Sequence, residues 1–186
     1  MKINFNQTGN NTACAINTYC SAKSVSTGTT VALQAWYQAV LNTTTHGVII
    51  GASETNVISV MWECIMVLPN ISWNAGNWTV NLDVNVANAN VTWVGLDICR
   101  ISSGCVSQAS IATQSLSINL GTTGVKSTTV TGVAQNPSAG DKVVVLLSFT
   151  NSAATLQSWT VNSDQPIVSP FALYAFRNIP FRRNHR

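Results

Sequence analysis

Hydrophobic and polar residues alternate along residues 76–86, GNWTVNLDVNV. Apolar side chains occupy every second position from Trp78 to Val86, and polar side chains, Asp83 among them, occupy the positions between. Successive side chains of a β-strand point to opposite faces. This period of two therefore predicts a strand with one face on a core and an almost uncharged face toward solvent.

Similar segments recur along the chain and are separated by turn residues. We predict further strands at VISVMWECIMVL, VTWVGLDICRI, SLSINLG, VKSTTVTGVA, DKVVVLLSF and SWTVN. DKVVVLLSF is apolar on both faces, which is typical of a central strand. The stretch TTVALQAWYQAVL fits both strand and helix spacing, and we favour a strand.

About eight or nine strands with few helical candidates predict an all-β fold, an antiparallel β-sandwich of jelly-roll type. The predicted core consists of Val80, Leu82, Val84, Leu96, Ile98, Val145, Leu147 and Trp159.

Composition divides the chain into three parts. Residues 1–28 are rich in Asn, Thr and Ser and lack sustained periodicity, so we predict an extended N-terminal arm that becomes ordered against neighbouring subunits. Residues 29–176 contain the other predicted strands and form the β-sandwich body. Residues 177–186, RNIPFRRNHR, form a short basic C-terminal tail.

The chain carries little charge. Charged residues make up 8% of the sequence, against about 25% in an average soluble domain. A nucleic-acid groove needs Lys and Arg interleaved with aromatic residues, and that pattern is missing, so no nucleic acid is expected. The longest apolar run, residues 57–69, contains Glu63 and is shorter than the roughly 20 residues that span a bilayer. No membrane partner is expected either.

Side chains suited to catalysis are few and scattered. A Ser-His-acid triad would have to use His46, because His185 is next to the last residue and cannot be held in the required geometry. Asp83 and Asp97 lie on consecutive predicted strands, and we interpret them as hydrogen-bonding partners of nearby hydroxyls. No phosphate-binding, dinucleotide-binding, metalloprotease or serine-hydrolase motif occurs. The sequence predicts no enzyme, no catalytic residue, no metal and no cofactor.

Five cysteines, at positions 14, 20, 64, 99 and 105, have neither the spacing nor the nearby histidines of a zinc site. Cys99 and Cys105 flank RISSG, a turn able to bring two strands within bridging distance, and they are the candidate disulfide. Cys14 and Cys20 are an alternative pair within the arm, and Cys64 is predicted to be a buried thiol. The alternative that all five are reduced stays open at this point.

The C-terminal tail combines one aromatic ring with positive charge. Pro180 breaks any helix there, and an exposed ring can anchor in an apolar pocket while guanidinium groups bind carboxylates in a bidentate manner. We predict that the tail docks on an acidic surface of a partner or of an adjacent copy, through Arg177, Phe181, Arg182, Arg183 and Arg186. A tail that is merely solvated is the alternative.

Residues 73–167 resemble a known class of proteins. The likeness is carried by WNAGNWTVNLDVNVANANVTWVGLDICRI, SINLGTTGVKSTTVTGVA and AGDKVVVLLSFTNSA. These segments resemble structural proteins of tailed-bacteriophage virions, in particular β-sandwich capsid decoration (cement) proteins. The resemblance implies a non-enzymatic protein, assembled in the host cytoplasm and located in the virion. Such a protein binds neighbouring major capsid subunits and holds them together, typically as a homotrimer.

Two other classes of function remain as alternatives. Jelly-roll sandwiches often bind sugars with exposed Trp and amide side chains, so the chain is alternatively a carbohydrate-binding or receptor-binding module, such as a tail-fibre tip or adhesin. The candidate residues for that function are Trp73, Trp93, Asn81, Asn85 and Asn88. A small β-sandwich hydrolase depends on His46 alone.

Overall fold

Every regular element that the structure describes is a β-strand. The computed structural model describes residues 2–7, 21, 23–28, 31–36, 45–65, 72–102, 108–138, 140–162 and 167–170. The strands are β1 (Lys2–Gln7), β2 (Val31–Trp36), β3 (Thr45–Ile50), β4 (Val57–Ile65), β5 (Gly76–Val86), β6 (Asn88–Ile101), β7 (Gln108–Leu120), β8 (Gly124–Gly132), β9 (Lys142–Asn151), β10 (Gln157–Asn162) and β11 (Ile167–Val168). The all-β prediction is confirmed, and β2 confirms the strand favoured for the ambiguous stretch.

The strands form two sheets, which we call sheet A and sheet B. In sheet A, β10 and β11 pair with different stretches of one edge of β5, β8 pairs with its other edge, and β3 lies beyond β10. Sheet B has the order β2-β4-β9-β6-β7. Strand β1 pairs with β11 and with β2, so it joins the two sheets. Paired strands are antiparallel except β2 and β4, which are parallel, and the arrangement confirms the predicted antiparallel β-sandwich.

A shared apolar core lies between the two sheets. On β5 the alternate residues from Trp78 to Val84 are at most 1% exposed. All eight core residues predicted from the sequence are buried. The rings of Phe149 and Trp159 meet across the core with their centroids 5.1 Å apart. Because burial of one large apolar side chain contributes about 1.5–3 kcal/mol, this core holds the sheets face to face.

Sheet B is apolar on both of its faces. Residues 142–149 of β9 are all buried, and the odd-numbered residues from Val143 to Phe149 belong to the shared core. The side chains that point the opposite way form a second buried cluster, which consists of Val144, Leu146, Ile58, Met61, Cys99 and Ile101. We call this side the outer face of sheet B. Strand β9 lies between β4 and β6, which confirms the prediction that it is central.

The described parts of the predicted arm, residues 1–28, lie against the body. Strand β1 pairs within the sheets. Ser21 and residues 23–28, which we call the strap, contact sheet B, and backbone bonds join Ser26 N to Ile58 O and Ile58 N to Ser24 O. Because residues 1–28 lack an apolar face, the sequence predicts an arm that orders against neighbouring subunits, and this stays a prediction. The described strap is held on its own chain by polar contacts, which no hydrophobic period reveals. The C-terminal tail lies outside the described residues.

Truncation of a core residue tests the packing of the two sheets. Leu82 is fully buried in the middle of β5, so Leu82→Ala is expected to lower the free energy of unfolding by about 2–5 kcal/mol. Val125→Ala, on the neighbouring strand and 54% exposed, is the control and is expected to change it by less than about 0.5 kcal/mol. Urea titration measures both values. Equal effects of the two variants would contradict the described core.

Candidate functional site

The outer face of sheet A is polar and broad. Residues of β5 and β8 that alternate with core residues point away from the core, as do those of β10 and β3. The polar side chains on this side, which we call the polar face, are Asn77, Thr79, Asn81, Asp83, Asn85, Ser127, Thr129, Thr131, Asn162 and Thr45.

Hydrogen bonds between neighbouring strands hold the polar face in place. Between β5 and β8, the Thr131 hydroxyl donates to Asn77 Oδ1 at 2.9 Å, and the hydroxyls of Thr79 and Thr129 are 2.9 Å apart. Such cross-strand pairs contribute roughly 0.2–1 kcal/mol each. They also fix the side-chain rotamers, so little conformational freedom remains to be lost when another molecule covers the surface.

The polar face carries a single described carboxylate, and that carboxylate is hydrogen-bonded. Asn162 Nδ2 donates to Asp83 Oδ2 at 2.7 Å, and the Thr45 hydroxyl donates to Asn162 Oδ1 at 3.0 Å. These bonds form a chain across β5, β10 and β3. The described polar face therefore consists mainly of amide and hydroxyl groups. Its one described carboxylate, that of Asp83, is already hydrogen-bonded within the chain.

A buried ion pair anchors the strap on β6. Lys23 Nζ lies 2.9 Å from Asp97 Oδ2, and the Asp97 side chain is 6% exposed. The hydroxyls of Ser21 and Thr113 donate to the two carboxylate oxygens at 3.1 and 2.9 Å. A Cβ on residue 95 would overlap Lys23 Nζ, so Gly95 leaves the space that the ammonium group occupies. The charge on β6 is thereby paired and hydrogen-bonded, as a buried charge must be.

The strap is also tied to the turn between β3 and β4. The Glu54 carboxylate accepts hydrogen bonds from the Ser26 hydroxyl, from the Thr27 amide and hydroxyl at 2.7 Å each, and from the Gly51 amide at 2.8 Å. Desolvation by burial acts to raise the pKa of Glu54, but these hydrogen bonds outweigh it and hold the pKa below its ordinary value. The ionised form of Glu54 therefore stabilises the folded strap.

A second ion pair closes the opposite end of the sandwich. Arg100 Nη1 lies 3.1 Å from Asp141 Oδ2 and donates to the carbonyl oxygen of Asn136 at 2.7 Å. The amide of Ser138 donates to the same carboxylate at 2.9 Å. Each of the four carboxylates with a described side chain, Glu54, Asp83, Asp97 and Asp141, thus accepts hydrogen bonds from within the chain.

Asp83 and Asp97 lie in different sheets, so the structure does not bring them together. Asp83 is on β5 of sheet A and accepts from the Asn162 amide. Asp97 is on β6 of sheet B and accepts from two hydroxyls and from Lys23. The interpretation that nearby hydroxyls donate to these acids is confirmed for Asp97, whereas the donor to Asp83 is the amide of Asn162. The sequence pattern did not predict that the ammonium group of Lys23 pairs with Asp97. The available signal was an acidic residue within an apolar strand, which needs a partner when it is buried.

His46 lies on β3 and shares a face of the strand with the buried residues Val48 and Ile50. Its Nε2 atom is buried without a hydrogen-bond partner, and desolvation by burial lowers its pKa below the ordinary value. In the described part of the chain, no serine or carboxylate is hydrogen-bonded to Nε2. The partners that a triad centred on His46 would need are therefore not assembled there.

The tryptophans considered for sugar binding are buried. Trp73 and Trp93 are 3% and 0% exposed, and Trp93 Nε1 donates to the carbonyl oxygen of Gly95 at 2.9 Å. Neither ring can stack on a ligand, because both fill the shared core. Asn88 donates to Gln157 and to the carbonyl oxygen of Ser158. Of the five candidates, Asn81 and Asn85 lie on the polar face.

The described residues provide neither a metal-binding cluster nor a helix able to span a membrane. Within the described ranges, no group of three or more His, Cys, Asp or Glu side chains is placed to hold a metal ion. None of the described residues forms a helix long and apolar enough to cross a membrane.

The residues predicted for docking lie outside the described part of the chain; they are Arg177, Phe181, Arg182, Arg183 and Arg186. Cys99 is disulfide-bonded, so the alternative that all five cysteines are reduced is wrong. Cys105 is not among the described residues, and its pairing with Cys99 stays a prediction.

Comparisons with known proteins show little similarity. No protein-family model matches the chain. No curated protein matches it either. Two crystal structures of a CocE/NonD family hydrolase from Staphylococcus aureus are similar in part, with TM-scores of 0.44 and 0.45 and 10% sequence identity. Each match covers 74% of this chain and 34% of the hydrolase, so this chain spans about a third of that protein's length. At these TM-scores the likeness carries no argument about function.

Acidification tests the anchoring of the strap by Glu54. Because the pKa of Glu54 is lower in the folded protein, its contribution to stability is complete above the ordinary value of 4.5 and is lost as the pH falls through the folded pKa. The pKa of His46 is also lowered, so a separate loss begins as the pH falls below 6.5. We expect Glu54→Gln to be less stable than the parent at neutral pH and to lose less stability below pH 4.5.

The matched control is His46→Gln, which is expected to remove the loss that begins below 6.5 and to keep the one below 4.5. Urea unfolding at a series of pH values separates the two steps. If Glu54→Gln shows the parent's full loss below 4.5, the carboxylate does not anchor the strap.

Proposed function

We propose that this protein is a non-enzymatic structural component of a virion, which decorates or cements the capsid by binding neighbouring major capsid subunits. In this proposal it is assembled in the host cytoplasm, carried in the virion and associated with further copies of itself, as a trimer if it follows the proteins that it resembles. The proposal combines that resemblance with the chemistry of the described surface and of the tail.

One observation carries the proposal: the described carboxylates of the body form hydrogen bonds or ion pairs within the chain. All four with described side chains are bonded, two of them to Lys23 and Arg100. Among the described side chains of the body, every carboxylate therefore already has a partner other than the tail arginines. A cluster of guanidinium groups beside Phe181 is then best matched by carboxylates on another protein, around a pocket for the ring.

The polar face supports the same function. Large charged side chains are costly to cover, because each must find a partner once water is removed. The polar face has hydroxyl and amide groups that are already oriented, and its single described carboxylate, Asp83, is hydrogen-bonded to Asn162. Such a surface can be covered by capsid subunits without burying an unpaired charge.

Carbohydrate binding is less well supported. Asn81 and Asn85 lie on the polar face, but the two candidate tryptophans are in the core and provide no stacking platform. Binding of the isolated protein to a glycan array, with no binding to capsids, would favour the carbohydrate alternative.

The tail provides the sharpest test of capsid binding. The double variant Arg182→Ala/Arg183→Ala is expected to bind capsids assembled from the cognate major capsid protein roughly tenfold more weakly, or worse, because two charge-assisted contacts are lost. Its binding should also depend less on salt than that of the parent, since exposed ion pairs are screened over about 8 Å at physiological ionic strength. Co-sedimentation across a salt series measures both effects.

The control is Lys126→Ala, which removes one positive charge from β8, where Lys126 donates to Thr122. This variant is expected to bind capsids like the parent, and both variants should keep the parent's melting temperature. Equal capsid occupancy of the double variant and the parent at every salt concentration would remove the docking role of the tail.

A further inference from the structure

Strand β8 is the last strand of sheet A on its side of β5. Among the described strands it pairs with β5 alone, so its other edge carries a row of backbone N–H and C=O groups that no described strand pairs with. The pairing with β5 runs through nine consecutive residue pairs without a register shift, from Gly76 with Gly132 to Val84 with Gly124. The strand contains no proline. The outer edge of β8 is therefore regular, and a further strand can be added to it.

The strands at the other described sheet ends, β7 and β3, are less suited to strand addition. The register between β6 and β7 shifts at three places, and such β-bulges bend an edge away from regular pairing. The backbone carbonyl of Ile111 on β7 also accepts a hydrogen bond from the Val133 amide. Strand β3 has six residues, and Gly28 of the strap lies so close to the Ile49 carbonyl oxygen that a Cβ there would overlap it. Strand β8 therefore has the most regular of the described edges.

The charge on β8 limits how two copies of this strand can pair. Its one charged residue, Lys126, lies near the start of the strand and donates to the Thr122 hydroxyl at 2.6 Å. Like charges directly opposite each other destabilise a strand pair, so an antiparallel pair centred on Lys126 is disfavoured. A pair centred on Thr128 uses all nine residues of the strand and places Lys126 opposite Val130 of the second copy. The two lysines are then about 13 Å apart along the strands, which is more than the screening length of about 8 Å at physiological ionic strength.

We propose that β8 pairs with β8 of a second copy, antiparallel around a twofold axis at Thr128, so that sheet A continues from one copy into the other. Main-chain hydrogen bonds supply the affinity of such strand addition, and side-chain pairs set its register. On the polar face Ser127 lies opposite Thr129 of the second copy. Val125, which is 54% exposed, lies opposite Thr131. The twofold contact is the same on both copies, and it joins their polar faces into one wider surface.

The inference goes beyond the proposed function, because it concerns the isolated chain and not its contact with a capsid. A twofold axis gives a dimer, whereas the resemblance to decoration proteins implies a trimer. One strand from each copy makes a small interface, so we expect a weak dimer with a dissociation constant of about 1–100 µM. Sedimentation velocity of the isolated full-length protein over roughly 1–500 µM measures this constant. Non-reducing electrophoresis distinguishes this dimer from one that a disulfide links.

Like charges added to the outer edge of β8 test the pairing. The double variant Ser127→Lys/Thr129→Lys places lysine opposite lysine in two pairs of the dimer, so its dissociation constant is expected to rise at least about tenfold. Both side chains are exposed on the polar face, so the variant should keep the parent's circular dichroism spectrum. The control is Asn77→Lys/Asn85→Lys, which adds the same charge at exposed positions of β5, one strand away from the edge. It is expected to dimerise like the parent.

Amide exchange locates the contact. When the parent is diluted from about ten times to about one tenth of its dissociation constant, amides of β8 should exchange faster, whereas amides of the central strand β9 should not change. The inference is overturned if the parent is monomeric at every concentration, forms a trimer or only a disulfide-linked dimer, or if the double variant dimerises like the parent. Since no capsid is used, each of these results leaves the capsid-binding proposal to its own test.

Discussion

An apolar face of a sheet must be covered, and sheet B has two such faces. Most antiparallel sheets of a sandwich bury one face and leave the other in water. Here β9 has no exposed residue from 142 to 149, so water is excluded from both sides of its centre. The inner side is covered by sheet A. On the outer side the strap contacts β6 through Asp97 and β4 through the backbone of Ile58.

The chain has few charged residues, and the described ones serve contacts within the fold. Charged residues are 8% of the chain, and the described carboxylates hold segments of the fold in place. Asp97 binds the strap through Lys23, Glu54 fixes the strap to a turn, and Asp141 fixes Arg100. The polar face of sheet A is left with hydroxyl and amide groups, whose hydrogen bonds run from strand to strand. A surface of this kind is suited to being covered by another protein, and in our proposal the basic tail supplies the charge that directs binding.

The sequence predicts those parts of the structure that depend on local periodicity. Trp78 to Val84 alternate strictly, and the central position of β9 follows from its two apolar faces. The contact of Lys23 with Asp97 joins residues 74 positions apart, and nothing in the local pattern connects them. The parallel pairing of β2 with β4 depends likewise on the path of the whole chain. Trp93 is buried with Leu96 and Ile98 because the register of β6 shifts between Trp93 and Gly95, and simple alternation does not predict such a bulge.

The central claim is that the described N-terminal residues complete the fold, because β1 joins the two sheets and the strap ties β6 to β4. The direct measurement is urea unfolding of a chain that begins at residue 29, followed by tryptophan fluorescence and by binding of a hydrophobic dye. We expect the shortened chain to bind the dye and to lose the cooperative transition, because it lacks the strand that joins the two sheets and leaves Asp97 without its ammonium partner. A cooperative transition at the same midpoint and with the same slope as the full-length protein would contradict this account.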